Sequence, residues 1–417
     1  MPRKHFAIER VSVSTDGSEG IGGSSSPDIS GDGRYVAFTS NAPDLVPDDD
    51  NNTDDVFVHD RRTNTTEIVS VNNAGDEGNL GGSVPSISDN GRFVAYYSRS
   101  SNLVPDDGNG TDADVFVYDR KTDTTEIISV ASDGSAANDE SFLPKISANG
   151  RYVVYESNAS NLVPGDGNGA TDVFLHDRHT GTTELVSASA AGGAGNGDSS
   201  QAFISSDGRF VTYSSLATDL VDGIDDNNNG FDVFVFDRKN GTTELVSTTP
   251  EGRVGNLDSV ASGISANGRY VAFYSLASDL VPDDGNDVFD VFVHDRKLGT
   301  TERVSVASNG EEGELDSLFG SISDDGRYVT FSSAATNFAP GDGNNALDIF
   351  VHDRKKDTTT LLSRNLDGDV GDGESGVSAI SANGRHVAFS SAASDLVPGD
   401  GNGFEDIFVA SRFDWLV

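Results

Sequence analysis

Seven glycines recur along the chain at intervals of 58 to 60 residues, and each of them follows Asn or Asp. Asn-Gly and Asp-Gly supply the two positive φ angles that a tight β-hairpin turn requires. The seven are Gly33, Gly91, Gly150, Gly208, Gly268, Gly326 and Gly384. A repeat of this length that is carried by strand-like segments is typical of a radial or solenoidal array. The sequence therefore predicts one repeat fold along the whole chain.

One copy shows the elements expected in all of them. A short strand ends at residues 264–265, and the hairpin turn at residues 267–268 leads into an almost continuous apolar strand at 269–273. A third strand follows at 290–294 and a fourth at 300–305. Strands with almost no polar interruption are covered on both faces. Four antiparallel strands per unit, named A to D in chain order, and seven units predict an all-β, seven-bladed β-propeller.

The ends of the chain indicate how the ring closes. The last copy stops after its strand C at residues 406–410, whereas residues 8–13 match residues 301–306 of another strand D at five of six positions. We therefore expect one domain, residues 1–417, in which residues 6–13 complete the last blade and remove two exposed sheet edges. Trp415 is predicted to seal this closure.

Acidic residues outnumber basic ones by 68 to 28, which gives a formal net charge of −40. This charge disfavours nucleic acid and anionic membrane surfaces as partners, and it attracts cations. Two interpretations stay open: a surface adapted to solubility or high salt, and a specific role for bound cations.

Other features of composition give weaker expectations. The apolar runs are only a few residues long, so membrane insertion is not expected. The chain has no cysteine, and it therefore offers no disulfide, thiolate nucleophile or thiolate metal ligand. The absence of cysteine fits an exported or a cytosolic protein, and no secretory leader is visible. We expect a monomer, and we favour an extracellular or periplasmic location with the leader absent from this sequence.

The acidic stretches of the loops between strands B and C, such as residues 102–114, contain no Lys or Arg. They carry the pattern Asp-x-Asn-x-x-x-Asp, with one residue inserted in the second blade. Oxygen ligands at alternate positions of a tight, glycine-containing loop resemble the EF-hand arrangement for Ca²⁺, and a ligand set of oxygens alone favours this ion. The alternative is a polar turn followed by a carboxylate that caps strand C. The candidate Ca²⁺ ligands are Asp49, Asn51, Asp55, Asp107, Asn109, Asp114, Asp166, Asn168, Asp172, Asp226, Asn228, Asp232, Asp284, Asn286, Asp290, Asp342, Asn344, Asp348, Asp400, Asn402 and Asp406.

The loops between strand D and the next strand A share this acidic face and end in an acid–Ser pair in five blades. These pairs are Glu140-Ser141, Asp198-Ser199, Asp258-Ser259, Asp316-Ser317 and Glu374-Ser375. At the mouth of the central channel, such a ring could bind a cation, a sugar or a basic peptide. The favoured interpretation is that these side chains satisfy backbone N–H groups.

Two regular positions are predicted to be structural. An arginine follows every A–B turn and is expected to pair with the aspartate of the C–D turn on the same face. These arginines are Arg34, Arg92, Arg151, Arg209, Arg269, Arg327 and Arg385. A phenylalanine in every strand C is expected to pack between blades. These phenylalanines are Phe57, Phe116, Phe174, Phe234, Phe292, Phe350 and Phe408.

No known catalytic motif is present: the sequence has no Gly-x-Ser-x-Gly, His-Glu-x-x-His or phosphate-binding loop. Four of the seven histidines occupy one position of strand C, where other blades have Tyr, Phe or Ala, so they are predicted to pack. They are His59, His176, His294 and His352. A catalytic cluster should break the repeat symmetry, and none is apparent, so we predict a protein that is not an enzyme.

The repeat IS-x-[DN]-G-R-[YF]-V-x-[FY], followed by D-[VI]-F-V-x-D-R-x-x-G-T-T, resembles the TolB-type propeller repeat, which is related to tryptophan-aspartate-repeat propellers. The chain departs from that family in having Ile and Ser where Trp or Pro often precedes the turn. The resemblance implies a non-catalytic scaffold for a protein or carbohydrate ligand. The alternatives are a polysaccharide lyase or hydrolase with its site at the channel mouth, which would need asymmetric basic or aromatic residues there, and a structural surface-layer component.

Overall fold

The computed structural model describes residues 6–47, 49–105, 108–224, 226 and 228–412. Asp107 and Trp415, for which the sequence suggests roles, lie outside these residues. Within them, no helix has the length and apolar character that a membrane span requires.

The described chain forms 28 strands. The first is β1 (Phe6–Arg10), and blade 1 follows with β2 (Ser24–Ile29), β3 (Tyr35–Ser40), β4 (Asp55–Asp60) and β5 (Thr65–Ile68). Blade 2 has β6 (Ser83–Ile87), β7 (Phe93–Ser98), β8 (Asp114–Asp119) and β9 (Thr124–Ile127); blade 3 has β10 (Ser141–Ile146), β11 (Tyr152–Ser157), β12 (Asp172–Asp177) and β13 (Thr182–Leu185). Blade 4 has β14 (Ser199–Ile204), β15 (Phe210–Ser215), β16 (Asp232–Asp237) and β17 (Thr242–Leu245); blade 5 has β18 (Ser259–Ile264), β19 (Tyr270–Ser275), β20 (Asp290–Asp295) and β21 (Thr300–Arg303). Blade 6 has β22 (Ser317–Ile322), β23 (Tyr328–Ser333), β24 (Asp348–Asp353) and β25 (Thr358–Leu361); blade 7 has β26 (Ser375–Ile380), β27 (His386–Ser391) and β28 (Asp406–Arg412).

Seven separate four-stranded antiparallel sheets confirm the predicted propeller. Blade 7 takes its fourth strand from the start of the chain, because its strand order is β1-β28-β27-β26. The ladder runs from Phe6 opposite Arg412 to Arg10 opposite Phe408, and the Val11 N–H continues it to the Ile407 carbonyl at 2.8 Å. The predicted closure is therefore present, and it leaves β28 without a free edge.

The core consists of apolar clusters that join adjacent blades. One cluster, for example, combines Val56 and Val58 of blade 1 with Tyr96 and Phe116 of blade 2. In every blade the strand C phenylalanine stacks on an aromatic residue of strand B, with ring centroids 5.6 to 6.0 Å apart. All seven phenylalanines are buried, as predicted. Truncating one of them to alanine would cost about 3–5 kcal/mol of stability.

The face that carries the A–B and C–D turns is held by ion pairs. Arg34 Nε donates to Asp60 Oδ1 at 2.9 Å and Arg34 Nη2 donates to Asp60 Oδ2 at 2.5 Å, which is the bidentate arrangement that a guanidinium favours. The same pairing, which confirms the prediction, occurs in five other blades as Arg92–Asp119, Arg151–Asp177, Arg209–Asp237, Arg269–Asp295 and Arg327–Asp353. Blade 7 departs from it, because Ser411 replaces the aspartate.

A second arginine joins neighbouring blades on this face. Arg178 of blade 3 donates to Glu126 Oε1 of blade 2 at 2.5 Å and to the Gly150 carbonyl of its own blade. Its guanidinium also lies 4.4 Å from the centre of the Phe93 ring. Equivalent arginines bind the strand D glutamate of the preceding blade at five other junctions; they are Arg61, Arg120, Arg238, Arg296 and Arg354.

Candidate functional site

The seven A strands surround a central channel with a volume of about 440 Å³. Strand A contains a register shift in every blade. The fourth residue from its end has a φ of 49° to 52° in five blades. Positive φ is uncommon outside glycine and is unfavourable for a β-branched residue such as Val84. Bulges and strained backbone of this kind frequently redirect side chains at functional sites.

The seven repeats differ most along this strand. The last but one residue of strand A, which lines the channel in every blade, carries a different side chain in nearly every copy. These residues are Asp28, Ser86, Lys145, Phe203, Gly263, Ser321 and Ala379. Strand C, in contrast, is nearly identical throughout. The channel wall is therefore asymmetric although the scaffold is regular.

Two channel residues at this position carry opposite charges. Asp28 Oδ2 accepts a hydrogen bond from the Ile87 N–H of the next blade at 2.7 Å. Burial raises the pKa of Asp28, and the nearby positive charge of Lys145 opposes that shift. The Lys145 ammonium lies 5.5 Å from the centre of the Phe203 ring. One side of the channel thus combines a carboxyl, an ammonium and an aromatic face.

Glu156 adds a second carboxyl to the same wall. It is the fifth residue of β11, it is only 2% exposed, and its Oε1 accepts the Gln201 N–H of blade 4 at 2.7 Å. Burial raises the pKa of Glu156 to about 7, because a charged carboxylate is poorly solvated there. At the same position in other blades, the hydroxyls of Thr39 and Ser214 accept the equivalent N–H. Accepting the N–H of the next blade therefore does not require a carboxyl.

Aromatic side chains lie on the opposite part of the wall. The Tyr274 and Phe319 rings meet edge to face, with centroids 6.0 Å apart, and both residues line the channel. Phe319 is 42% exposed, which is unusual for a large apolar residue at the centre of a molecule. An exposed aromatic face in a cleft is suited to stacking against a ligand.

The channel narrows at the end where the A–B turns lie. Ser206 of blade 4 donates to Asp324 Oδ1 of blade 6 at 2.8 Å, so side chains from non-adjacent blades meet. Asp89 joins them, and burial together with the charge of Asp324 raises the pKa of Asp89 to about 6. Burial also raises the pKa of Asp324. These oxygen ligands form a group that could hold a hard cation.

The sequence prediction missed this asymmetric channel. The sequence analysis expected the basic and aromatic residues of an enzyme at the channel mouth, whereas Lys145, Phe203 and Phe319 belong to the innermost strands, which line the channel. A comparison of the seven repeats position by position would have found them, because strand A varies far more between copies than strand C does. Which strand lines the channel follows from the propeller fold, and that fold was already predicted.

The acid–Ser pairs at the acidic face follow the favoured interpretation only in part. Ser141 forms a hydrogen bond with Ser157 of the adjacent strand at 2.8 Å, and the serines of blades 4, 5, 6 and 7 do the same. Asp198, Asp258 and Asp316 accept backbone N–H groups of the B–C loop, as Asp258 does from Phe231 at 2.8 Å. Glu140 instead forms an ion pair with Arg99. Both side chains are therefore used within the scaffold.

The B–C loops form a regular hydrogen-bond network. Asn51 Nδ2 donates to Asp55 Oδ2 at 2.7 Å, Asn51 Oδ1 accepts the Thr53 N–H at 2.7 Å, and Ser70 donates to Asp55 Oδ1 at 2.5 Å. The Asn–Asp bond recurs as Asn168–Asp172, Asn228–Asp232, Asn286–Asp290, Asn344–Asp348 and Asn402–Asp406. The Asn and the second Asp therefore brace strand C. The first Asp has different partners in different blades: the backbone N–H of the loop Asn for Asp226 and Asp342, and an arginine for Asp284 and Asp400. Calcium coordination by these loops stays a prediction.

Comparison with known proteins bears on the fold. No described protein family matches the chain, and no curated protein matches its sequence. The β-propeller domain of the Trilobed protease from Pyrococcus furiosus has a similar structure, with a TM-score of 0.58 and 12% identity, over 95% of this chain and 96% of that chain. An oligogalacturonate lyase in complex with manganese matches with a TM-score of 0.55 and 10% identity, over 99% and 95%. The acylaminoacyl peptidase of Pyrococcus horikoshii matches with a TM-score of 0.56 and 11% identity, over 94% of this chain and 52% of that chain.

These comparisons correct two predictions. The prediction of a non-catalytic scaffold, and with it the prediction that the protein is not an enzyme, is contradicted because proteins named as enzymes have this fold. In the lyase the match extends over 95% of the enzyme's own chain. At 10 to 12% identity the likeness shows the fold and leaves the activity open. The β-propeller part of the family resemblance is confirmed, and the TolB-type assignment stays a prediction.

Proposed function

We propose that this protein is an enzyme that cleaves a polysaccharide in its central channel, with Glu156 as the acid–base residue. The observation that carries the proposal is a buried carboxyl, present in one blade of seven, whose pKa of about 7 suits proton transfer near neutral pH. Glu156 is thus a feature of blade 3 alone, and the fold by itself does not imply it.

The channel lining supports a carbohydrate substrate. Phe319 and Tyr274 offer aromatic faces to the apolar side of a sugar ring, and Gln201 and Asp28 add polar groups that can bind hydroxyls. Sites with a largely apolar wall and a few polar groups are typical for small ligands and for segments of longer ones. The net charge of −40 favours a neutral or cationic polysaccharide, because an anionic one would be repelled.

Hydrolysis is the reaction that the negative net charge of the protein favours, because a neutral or cationic polysaccharide can be hydrolysed. Protonated Glu156 gives its proton to the glycosidic oxygen while the bond from that oxygen to the anomeric carbon breaks. A water oxygen bonds to the anomeric carbon and passes a proton to the carboxylate of Asp28. Burial raises the pKa of Asp28 and Lys145 opposes that rise, and this mechanism requires that Asp28 be ionised while Glu156 is protonated.

A second candidate, favoured by Lys145, is β-elimination on a uronate-containing chain. Its ammonium would neutralise the uronate carboxylate while a base removes the proton from the adjacent carbon. The carbon–oxygen bond to the leaving sugar then breaks, a carbon–carbon double bond forms, and the leaving oxygen takes up a proton. The structural similarity to an oligogalacturonate lyase in complex with manganese is compatible with this reaction, and Asp89 and Asp324 have the oxygen ligands that such an ion accepts.

We also propose that the acidic B–C loops bind divalent cations, and that the ion is Ca²⁺. Carboxylate oxygens are hard ligands, and each of these loops carries the two aspartates of the repeated pattern.

The test is cleavage of neutral, cationic and uronate polysaccharides by the purified protein. Hydrolysis yields new reducing ends alone, whereas elimination also yields an unsaturated product that absorbs in the ultraviolet. Glu156→Gln is expected to reduce the rate by about 10²–10⁴-fold. Ser390→Ala, at the same strand position in blade 7, should leave the rate unchanged. The proposal fails if none of the polysaccharides is cleaved, or if the Gln variant keeps full activity.

A further inference from the structure

Two of the seven B–C loops hold a guanidinium among three carboxylates. In blade 5, Nη1 of Arg303 lies 2.7 Å from Glu312 Oε2, 3.2 Å from Asp284 Oδ1 and 3.4 Å from Asp290 Oδ2. Arg303 Nη2 also donates to the Asp283 carbonyl at 3.1 Å. One guanidinium nitrogen thus lies between the oxygens of three carboxylates.

Blade 7 repeats this arrangement with residues from both ends of the chain. Nη1 of Arg10 lies 2.5 Å from Glu19 Oε1, 3.4 Å from Asp406 Oδ2 and 3.6 Å from Asp400 Oδ1. Oxygens of the three carboxylates lie within 4.8 Å of one another. In blades 5 and 7, the equivalent position between the three carboxylates is therefore occupied by an arginine side chain of the protein itself.

Blade 1 has the same three carboxylates and lacks the arginine. Asp49, Asp55 and Glu77 correspond to Asp284, Asp290 and Glu312 in the repeat, and they are the equivalents of the blade 7 set as well. The residue in place of Arg303 is Ile68, which lies opposite a strand C phenylalanine just as Arg303 does.

The acids of blade 1 are also positioned as in blade 7. Glu77 Oε2 accepts the Asp50 N–H at 3.3 Å, as Glu19 Oε1 accepts the Gly401 N–H at 3.1 Å. Both glutamates therefore reach into their B–C loops. The difference between the two blades is the missing cation.

Asp49 is the second observation that points to a ligand. It is 8% exposed, and its carboxylate has no hydrogen bond or ion pair with the residues that the structure describes. Its equivalents Asp284 and Asp400 direct their carboxylates at a guanidinium. An ionised carboxylate that is mostly buried and has no partner is unfavourable, so a cation bound at this position would stabilise it.

We infer that blade 1 binds one Ca²⁺ ion between Asp49, Asp55 and Glu77, at the point that the arginine nitrogen occupies in blades 5 and 7. This inference rests on the proposal that the acidic loops bind cations, and it is independent of the channel. The other four blades have Ala or Val in place of the glutamate, and they therefore offer fewer ligands. These residues are Ala136, Ala194, Val254 and Val370.

The repeat supplies matched variants for the test. Ile68→Arg gives blade 1 the residue of blade 5, and Arg303→Leu gives blade 5 the residue of blades 3 and 4. Calorimetric titration of chelator-treated protein with Ca²⁺ should show binding to the wild type, one ion fewer for Ile68→Arg, and one ion more for Arg303→Leu. Thermal unfolding in chelator establishes that each variant is folded.

The inference is overturned if the wild type binds no Ca²⁺, if Ile68→Arg binds as many ions as the wild type, or if a folded Arg303→Leu gains none. The channel proposal fails separately. Glu156→Gln should lose polysaccharide cleavage while it binds Ca²⁺ with unchanged stoichiometry.

Discussion

At the scale of single residues, position 156 shows how one substitution adds chemistry to a repeat. Thr39 and Ser214 hold the next blade with a hydroxyl, and Glu156 does the same with a carboxyl. The added charge is poorly solvated, so the pKa rises from 4.5 to about 7. This residue therefore keeps a structural bond and gains a titration near neutral pH.

The consequence for stability follows from linkage. Because the folded pKa of Glu156 lies above the unfolded value, the folded state binds an extra proton between pH 4.5 and about pH 7. The stabilisation is complete below pH 4.5 and is lost as the pH rises through 7. We expect wild-type protein to lose about 3 kcal/mol more than Glu156→Thr across this range. Urea unfolding at several pH values measures the difference, and parallel curves for the two proteins would contradict it.

At the scale of elements, the junctions between blades depend on arginines that make three kinds of contact at once. Arg178 binds a half-exposed carboxylate, a backbone carbonyl and an aromatic face. Arg178→Ala should cost about 2–3 kcal/mol, because the Gly150 carbonyl loses its donor and Phe93 loses a cation–π partner. Glu126→Gln should cost less than about 1 kcal/mol, since it removes only a half-exposed ion pair. Chemical denaturation of both variants tests this order, and equal losses would show that the ion pair alone matters.

The elements are also where prediction from sequence succeeded and where it stopped. Asn-Gly and Asp-Gly turns, apolar strands and the copy of strand D at residues 8–13 were sufficient for the blade, the ring and its closure, because these are local signals repeated seven times. The channel site was missed because Asp28 of blade 1 lies far in sequence from Lys145 of blade 3, and the two come close only when the ring has closed. The hydrogen-bond partner of the Asn in each B–C loop could not be predicted either, because an amide group can both donate and accept.

At the scale of the whole molecule, the acidic B–C loops of seven blades gather on one face. Their mutual repulsion opposes folding, and it is screened by salt, because the Debye length falls from about 30 Å at 0.01 M to about 3 Å at 1 M. We expect the melting temperature to rise across this range in NaCl with chelator present. Differential scanning fluorimetry measures the effect, and a melting temperature that is unchanged or lower in salt would contradict it.

The pairing of β1 with β28 has a topological consequence. Phe6 and Arg412 are direct neighbours, so the first and last strands that the structure describes meet at one point of the ring. A short peptide link across that point, combined with a cut in any other blade, would give a circular permutant with the same set of neighbouring strands. The fold should therefore not depend on which blade comes first in the chain, and the ring could be closed within any blade.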